Sequence, residues 1–150
     1  MQPHGSFELS VKNQIVIIKA MGAWNFEMAV EFGEQYKALV LTFNQDPWAC
    51  LIDLTEWELF TPEASDYLDD INRWADANNQ RFEAVVCGLS IQQSLLEKNQ
   101  AAFTHVETQF CESLDLACQW LESKFYAISS DGNGGGNCLQ KNATKTKFEI

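Results

Sequence analysis

Seven carboxylates crowd the stretch from Glu56 to Asp76 (Glu56, Glu58, Glu63, Asp66, Asp69, Asp70 and Asp76), with Arg73 the one base among them. Glu63, Asp66 and Asp70 stand at i, i+3 and i+7, which brings them to one face of a helix. Such a face can gather a divalent cation, meet a basic partner, or keep a helix in water. Calcium sites need closely spaced oxygens on irregular backbone, so solvation or partner contact is the expectation and no metal is expected. Asp53 differs, because it closes the apolar run Ala49-Cys50-Leu51-Ile52. An acid there is a general base, a ligand anchor, or a cap on nearby loop N–H groups. With no histidine or second carboxylate at a recognisable spacing, the structural role is preferred over the catalytic one.

Other reactive groups offer less. His4 lies near the N-terminus, and His105 opens a candidate strand as a surface or capping residue. Cys50 and Cys87 fall in apolar strand segments, where burial disfavours a thiolate. The only run of glycines, Gly134 to Gly136, has neither a strand before it nor a helix after it, so it is no phosphate loop. No Cys/His zinc pattern occurs. No enzyme activity and no cofactor are therefore expected. Trp57, set between Glu56 and Glu58 in an expected 54–60 loop, is the best candidate for an exposed aromatic contact.

The elements that must position these groups follow from periodicity. Phe7, Leu9 and Val11 alternate with polar residues as a half-buried strand, and Lys12-Asn13-Gln14 turns the chain into the more buried Ile15–Ile18. Asn25 caps a helix to about Phe43, with Ala29, Phe32, Tyr36, Leu39, Val40 and Phe43 at helical spacing. The Trp48–Asp53 strand follows. Thr61-Pro62-Glu63 then joins a capping hydroxyl, a proline suited to the first turn and an acid favoured by the helix dipole, starting a helix to about Ala77. Phe82–Leu89 reads as a strand. Ser90 with Gln93 suggests a capping box for a helix to about Phe103. Val106, Thr108 and Phe110 alternate as a last strand before a helix capped by Ser113. The order β-β-α-β-α-β-α-β-α implies an α/β domain: a single, mostly parallel five-stranded mixed sheet with about four helices. Residues 1–126 form that domain. Residues 127–150, with Asp131-Gly-Asn-Gly-Gly-Gly136 and no apolar periodicity, read as a flexible tail.

Composition narrows the partners. The chain carries 21 acids against 10 bases, a net charge of −11. Such a protein repels phosphate backbones, so nucleic-acid binding is not expected, and a partner with a basic surface fits better. No stretch has the roughly 20 apolar residues of a membrane span, and the first residues lack a signal-peptide pattern. Five cysteines without a CxxC pair suggest free, buried thiols and a reducing, cytoplasmic setting. The unpaired edge at Phe7–Val11 makes a homodimer plausible.

The Gly-Ala-Trp-Asn lead into the first helix, the Trp-Ala-Cys-Leu-Ile-Asp-Leu strand, the Thr-Pro-Glu-Ala helix start and the final Ala-Cys-Gln-Trp-Leu helix resemble the STAS domain, specifically the SpoIIAA-like (STAS/CRAL-TRIO-like) bacterial proteins, over about residues 5–125. The resemblance implies a SpoIIAA-like topology and a regulatory, non-enzymatic, protein-interaction role. In the anti-sigma-factor antagonists of this family an Asp-Ser-Ser-Gly motif opens the helix and its second serine is phosphorylated. Thr61-Pro62-Glu63-Ala64 occupies those positions here, so the phosphoacceptor site holds Glu63, whose fixed charge imitates only the modified state. Thr55 and Thr61 are the neighbouring hydroxyls. The expected partner-binding set is thus Asp53, Thr55, Trp57, Thr61, Glu63, Asp66 and Asp70. The CRAL-TRIO similarity implies an alternative: a small-molecule or lipid-binding domain with an apolar cleft between helices and sheet, lined by Phe32, Tyr36, Leu59 and Phe60.

Overall fold

The computed structural model describes residues 2–128 and 144–149. Its elements are β1 (Ser6–Lys12), β2 (Ile15–Trp24), α1 (Phe26–Val40), β3 (Trp48–Phe60), α2 (Pro62–Ala77), β4 (Gln80–Val86), α3 (Ser90–Gln100), β5 (Glu107–Cys111), α4 (Leu114–Ile128) and β6 (Thr144–Glu149). One sheet carries them in the order β5-β4-β3-β2-β1-β6. Pairing is parallel from β2 through β5 and antiparallel at β1 with both its neighbours. The mixed, mostly parallel five-stranded sheet and four helices expected from periodicity are present, with β6 added at the edge.

Parallel strands are covered on both faces, so their sequences read as nearly unbroken apolar runs. On one face α1, α2 and α3 bury Met28, Phe32, Tyr36, Ile71 and Leu96 against Val16, Ile18, Cys50 and Val85. On the other, α4 sets Ala117, Cys118 and Leu121 against Ala49, Leu51, Phe82 and Ala84. Helix starts follow their caps. Asn25 accepts from Met28 N–H at 3.0 Å, Thr61 from Ala64 N–H at 3.3 Å and Ser113 from Leu116 N–H at 3.2 Å. The first helix ends at Val40 and tightens into a 3-10 turn over Leu41–Phe43, which Asn44 closes with a left-handed φ of 53°.

Several expectations are corrected. The 54–60 segment is not a loop: β3 runs on to Phe60, paired with β2 through two register slips, at Lys19/Met21 and Gly22/Ala23. Acids in this stretch hid the strand, because its polar residues Thr55, Glu56 and Glu58 point to solvent while Leu54 and Trp57 face the core. β4 stops at Val86 rather than Leu89, and α3 ends at Gln100 rather than Phe103. Ser90 is the first residue of α3 and not its cap; Leu89 holds the cap position without a side-chain bond. Of the expected tail, α4 continues to Ile128 and residues 144–149 pair along β1 from Val11 to Ser6; residues 129–143 lie outside the described residues. β6 occupies the edge at Phe7–Val11 on which the homodimer expectation rested, since its backbone satisfies those exposed groups.

Helices α1 and α2 approach closely at Gly33, where an added Cβ would press on the Tyr67 ring and lie 2.9 Å from Ile71 Cδ1. Gly33→Val is expected to lower unfolding free energy by about 1–3 kcal/mol in chemical denaturation. A stability equal to wild type would show that this contact yields freely.

Candidate functional site

Two features lie beside the carboxyl ends of the parallel strands, where open α/β sheets place their sites. The first is a surface. Thr61 turns the chain out of β3 into α2, and Pro62 takes the first helical position. Glu63, Asp66 and Asp70 are all exposed along this helix, with Asp70 holding Arg73 at 2.8 Å. Beside it runs α3, tied down by Asn99. That buried amide donates to Asp69 Oδ1 at 2.6 Å and to the Ser65 carbonyl at 3.1 Å, while the Asn99 carbonyl accepts from Asn72 at 3.1 Å. At the other end of α3, Gln92 donates to the Trp57 carbonyl at 2.9 Å. The inner side of α3 is thus held by these polar pins and by buried Leu96, and Leu89, Ile91 and Leu95 are left in water at 60%, 68% and 48% exposure. Between the two helices is a groove of about 210 Å³ touching Pro62, Asp66, Leu95 and Lys98.

The expected partner-binding residues divide among three settings. Asp53 is buried; its Oδ1 accepts from Thr55 N–H at 2.9 Å and from the Thr55 hydroxyl at 2.7 Å. That pair shapes the first slip of β3, which is the capping role preferred from sequence. Trp57 is 3% exposed, so it is not a surface contact. Its ring packs on Phe60 at 4.6 Å between centroids, and its indole N–H finds no partner. Thr61, Glu63, Asp66 and Asp70 share the α2 surface. The Leu89, Ile91 and Leu95 patch was missed in sequence, although Ile91 and Leu95 stand at i and i+4 on an uncapped amphipathic helix.

The second feature is a cavity of about 80 Å³ between the sheet and helices α1, α2 and α3. Phe32, Tyr36 and Phe60 line it, as the alternative reading expected; Leu59 does not, and is 46% exposed. Its polar end holds Glu83, only 5% exposed, whose Oε2 accepts from Gln100 Nε2 at 2.9 Å. Burial pushes the Glu83 carboxyl up to about 7 against the opposing pull of the Gln100 bond. Tyr36 and Cys50 face each other at 2.9 Å, and burial drives both well above their ordinary values. Glu83 is absent from the residues expected above, though an acid inside Phe82-Glu83-Ala84-Val85-Val86 is a legible signal.

Elsewhere, Asp76 ties the 104–105 loop to the end of α2. It accepts from Thr104 Oγ1 at 2.7 Å, His105 N–H at 2.7 Å and Thr104 N–H at 3.0 Å. Desolvation opposes ionisation there, but these bonds prevail and hold Asp76 at about 2. Cys50, Cys87 and Cys111 are free, while Cys118 is disulfide-bonded, against the expectation of free thiols throughout the body. Among the described residues no three His, Cys, Asp or Glu side chains converge on a possible metal position, and no helix is long and apolar enough to cross a membrane.

The two shifted acids carry opposite pH signatures. Glu83, raised when folded, stabilises the fold fully below about pH 4.5, and that stability drains away as pH rises through 7. The change is on the order of 3 kcal/mol, and Glu83→Gln should flatten it in urea titrations between pH 5 and 8. Asp76, lowered when folded, contributes above pH 3.8 and loses that contribution as pH falls toward 2. Asp76→Asn should leave the neutral-side slope intact and remove the acid-side one; unchanged slopes in either variant would refute the corresponding assignment.

No family model matches the chain, and no curated protein matches it. Solved structures do. An uncharacterised DUF3478-family protein with a SpoIIAA-like fold from Shewanella loihica superposes with a TM-score of 0.65 at 17% identity, covering 81% of this chain and 98% of that one. An anti-sigma factor antagonist from Mycobacterium paratuberculosis superposes with a TM-score of 0.52 at 13% identity, covering 79% and 93%. At these identities the likeness speaks for architecture. The chain has the SpoIIAA-like fold of STAS domains.

Proposed function

We propose that the protein is a non-enzymatic regulatory module that binds a protein partner through the surface where α2 begins and α3 lies beside it. The observation that carries this reading is the groove between α2 and α3, which exposed Leu95 shares with exposed Asp66, while Leu89 and Ile91 also stand in water at the start of α3. Apolar side chains grouped in water at a groove mark contact surfaces, and their acidic border suits a partner with basic residues around an apolar centre. The anti-sigma factor antagonist among the structural neighbours supports a partner-directed role. Glu63 stands exposed in the first turn of α2 with a charge that no kinase adds or removes, so contact here is constitutive rather than phospho-switched. Asp53, Thr55 and Trp57 act beneath this surface by holding its shape.

Affinity capture with the purified chain tests it. Leu95→Asp and Glu63→Lys should each weaken capture at least tenfold with little change in melting temperature. Leu116→Asp, on exposed α4 residue 116 outside this surface, should leave capture unchanged. Equal capture by all three variants would overturn the assignment.

A second reading has its own observation. The cavity above Glu83, lined by Phe32, Tyr36 and Phe60, supports a small-molecule-binding role in the same domain.

A further inference from the structure

Glu83 is a buried acid without a cation. Its Oε2 takes one hydrogen bond from Gln100, and no other described residue bonds the carboxyl. The groups around it do not fill that gap. Across the cavity α1 presents Tyr36, with Cys50 of β3 in contact with it; both are kept protonated by burial. From α2 and α3 come Asn72, Asn99 and Gln100, which are neutral, and no Lys, Arg or His lines the space. The rest of the wall is apolar, with the aromatic rings of Trp24, Phe32 and Phe60 turned to the same volume of about 80 Å³. A buried carboxylate is costly unless a positive charge meets it, and without one it takes up a proton; no group of the cavity wall supplies that charge, so a cation that ionises Glu83 would come from outside the chain.

We propose that this cavity binds a small primary amine on a short apolar stem, with its ammonium seated on Glu83 and its stem among the aromatic and aliphatic walls. The proposal rests on the small-molecule reading above and adds the chemistry of the ligand. Charge selects the class. A fatty acid or other carboxylate would place a second negative charge against Glu83, inside a protein of net charge −11. An ammonium gains from both, and from the aromatic faces. An alcohol reaches the same oxygen but brings no charge to it. The available space admits only a few heavy atoms, so affinity is no tighter than about micromolar. Because Glu83 must be ionised to receive the ammonium, binding weakens as pH falls below neutrality. Of the residues lining the cavity, only Glu83 changes charge in that range.

The full chain, with isotope-labelled methyl groups and glutamate carboxyls, is titrated with n-butylamine, 1-butanol, butyrate and dissolved xenon, read by NMR. Butylamine is expected to shift the methyls of Ile18, Ile52 and Val85 saturably at pH 8 and to lower the titration midpoint of the Glu83 carboxyl. Its affinity should fall about tenfold per pH unit below the midpoint, and Glu83→Gln should weaken it at least tenfold while xenon still enters. Butyrate should not bind, and butanol should bind more weakly than the amine. An unmoved Glu83 midpoint in saturating butylamine overturns the proposal even if Glu83→Gln does not fold. So does tighter binding of butanol or butyrate. Xenon uptake without Glu83-dependent amine binding leaves the cavity reading standing and defeats the amine. Failure of xenon and all three solutes to enter defeats both.

Discussion

Strand β3 lies between β2 and β4 in parallel pairing, with helices on both faces, and its residues Trp48 to Leu51 are almost wholly removed from water. A strand so placed must satisfy every backbone group from its neighbours and supply side chains to two cores at once. The two sides are unequal. Toward α4 the strands offer Ala49 and Ala84, and α4 comes down on them with Ala117. Toward α1 a row of rings extends from Trp57 through Phe60, Trp24, Phe32 and Tyr36 to Trp48, with centroids 4.6–5.8 Å apart. The row mixes edge, tilted and stacked contacts, so its outline is irregular. The cavity lies on this side, among rings that bridge sheet and helix.

The carboxyl end of β3 is where the fold becomes a surface. The Asp53–Thr55 pair inserts a slip against β2, and the strand continues with Trp57 inward and Glu56, Glu58 and Leu59 outward. Lys19 meets Glu56 across this slip, and that bond leads the rise of its ammonium pKa. The strand then delivers Thr61 to the start of α2 with its hydroxyl already committed to the helix cap. A hydroxyl in that role is poorly placed for modification. Asn99 closes the arrangement by holding α3 against α2, so the outer residues of α3 are presented on a helix fixed by polar bonds together with the burial of Leu96.

Much of this was legible in the residues. Alternation in Phe7–Val11, the caps at Asn25, Thr61 and Ser113, and the element order led to the right sheet and the right helices, because these signals act within a few residues of chain. The errors share a cause. Polar residues at 55, 56 and 58 concealed a strand, since a strand exposed on one face and bulged loses the period that identifies it. Trp57 is a candidate for exposure by its acidic neighbours along the chain, yet the pleat turns it inward between them. Residues 144–149 carry no apolar periodicity, and their pairing along β1 depends on a strand far away in the chain.

The sequence by itself determined the local elements, the acidic charge and the presence of an acid in the middle of a buried strand. Tertiary structure alone decided that Glu83 is bonded by Gln100 of α3 in a cavity that Tyr36 of α1 also lines, and that Leu89, Ile91 and Leu95 stay in water. The reason is physical. Propensity, capping and alternation depend on neighbours along the chain, whereas burial, desolvation of a carboxyl and the exposure of a patch depend on which surfaces meet, and 17 residues of chain separate Glu83 from Gln100.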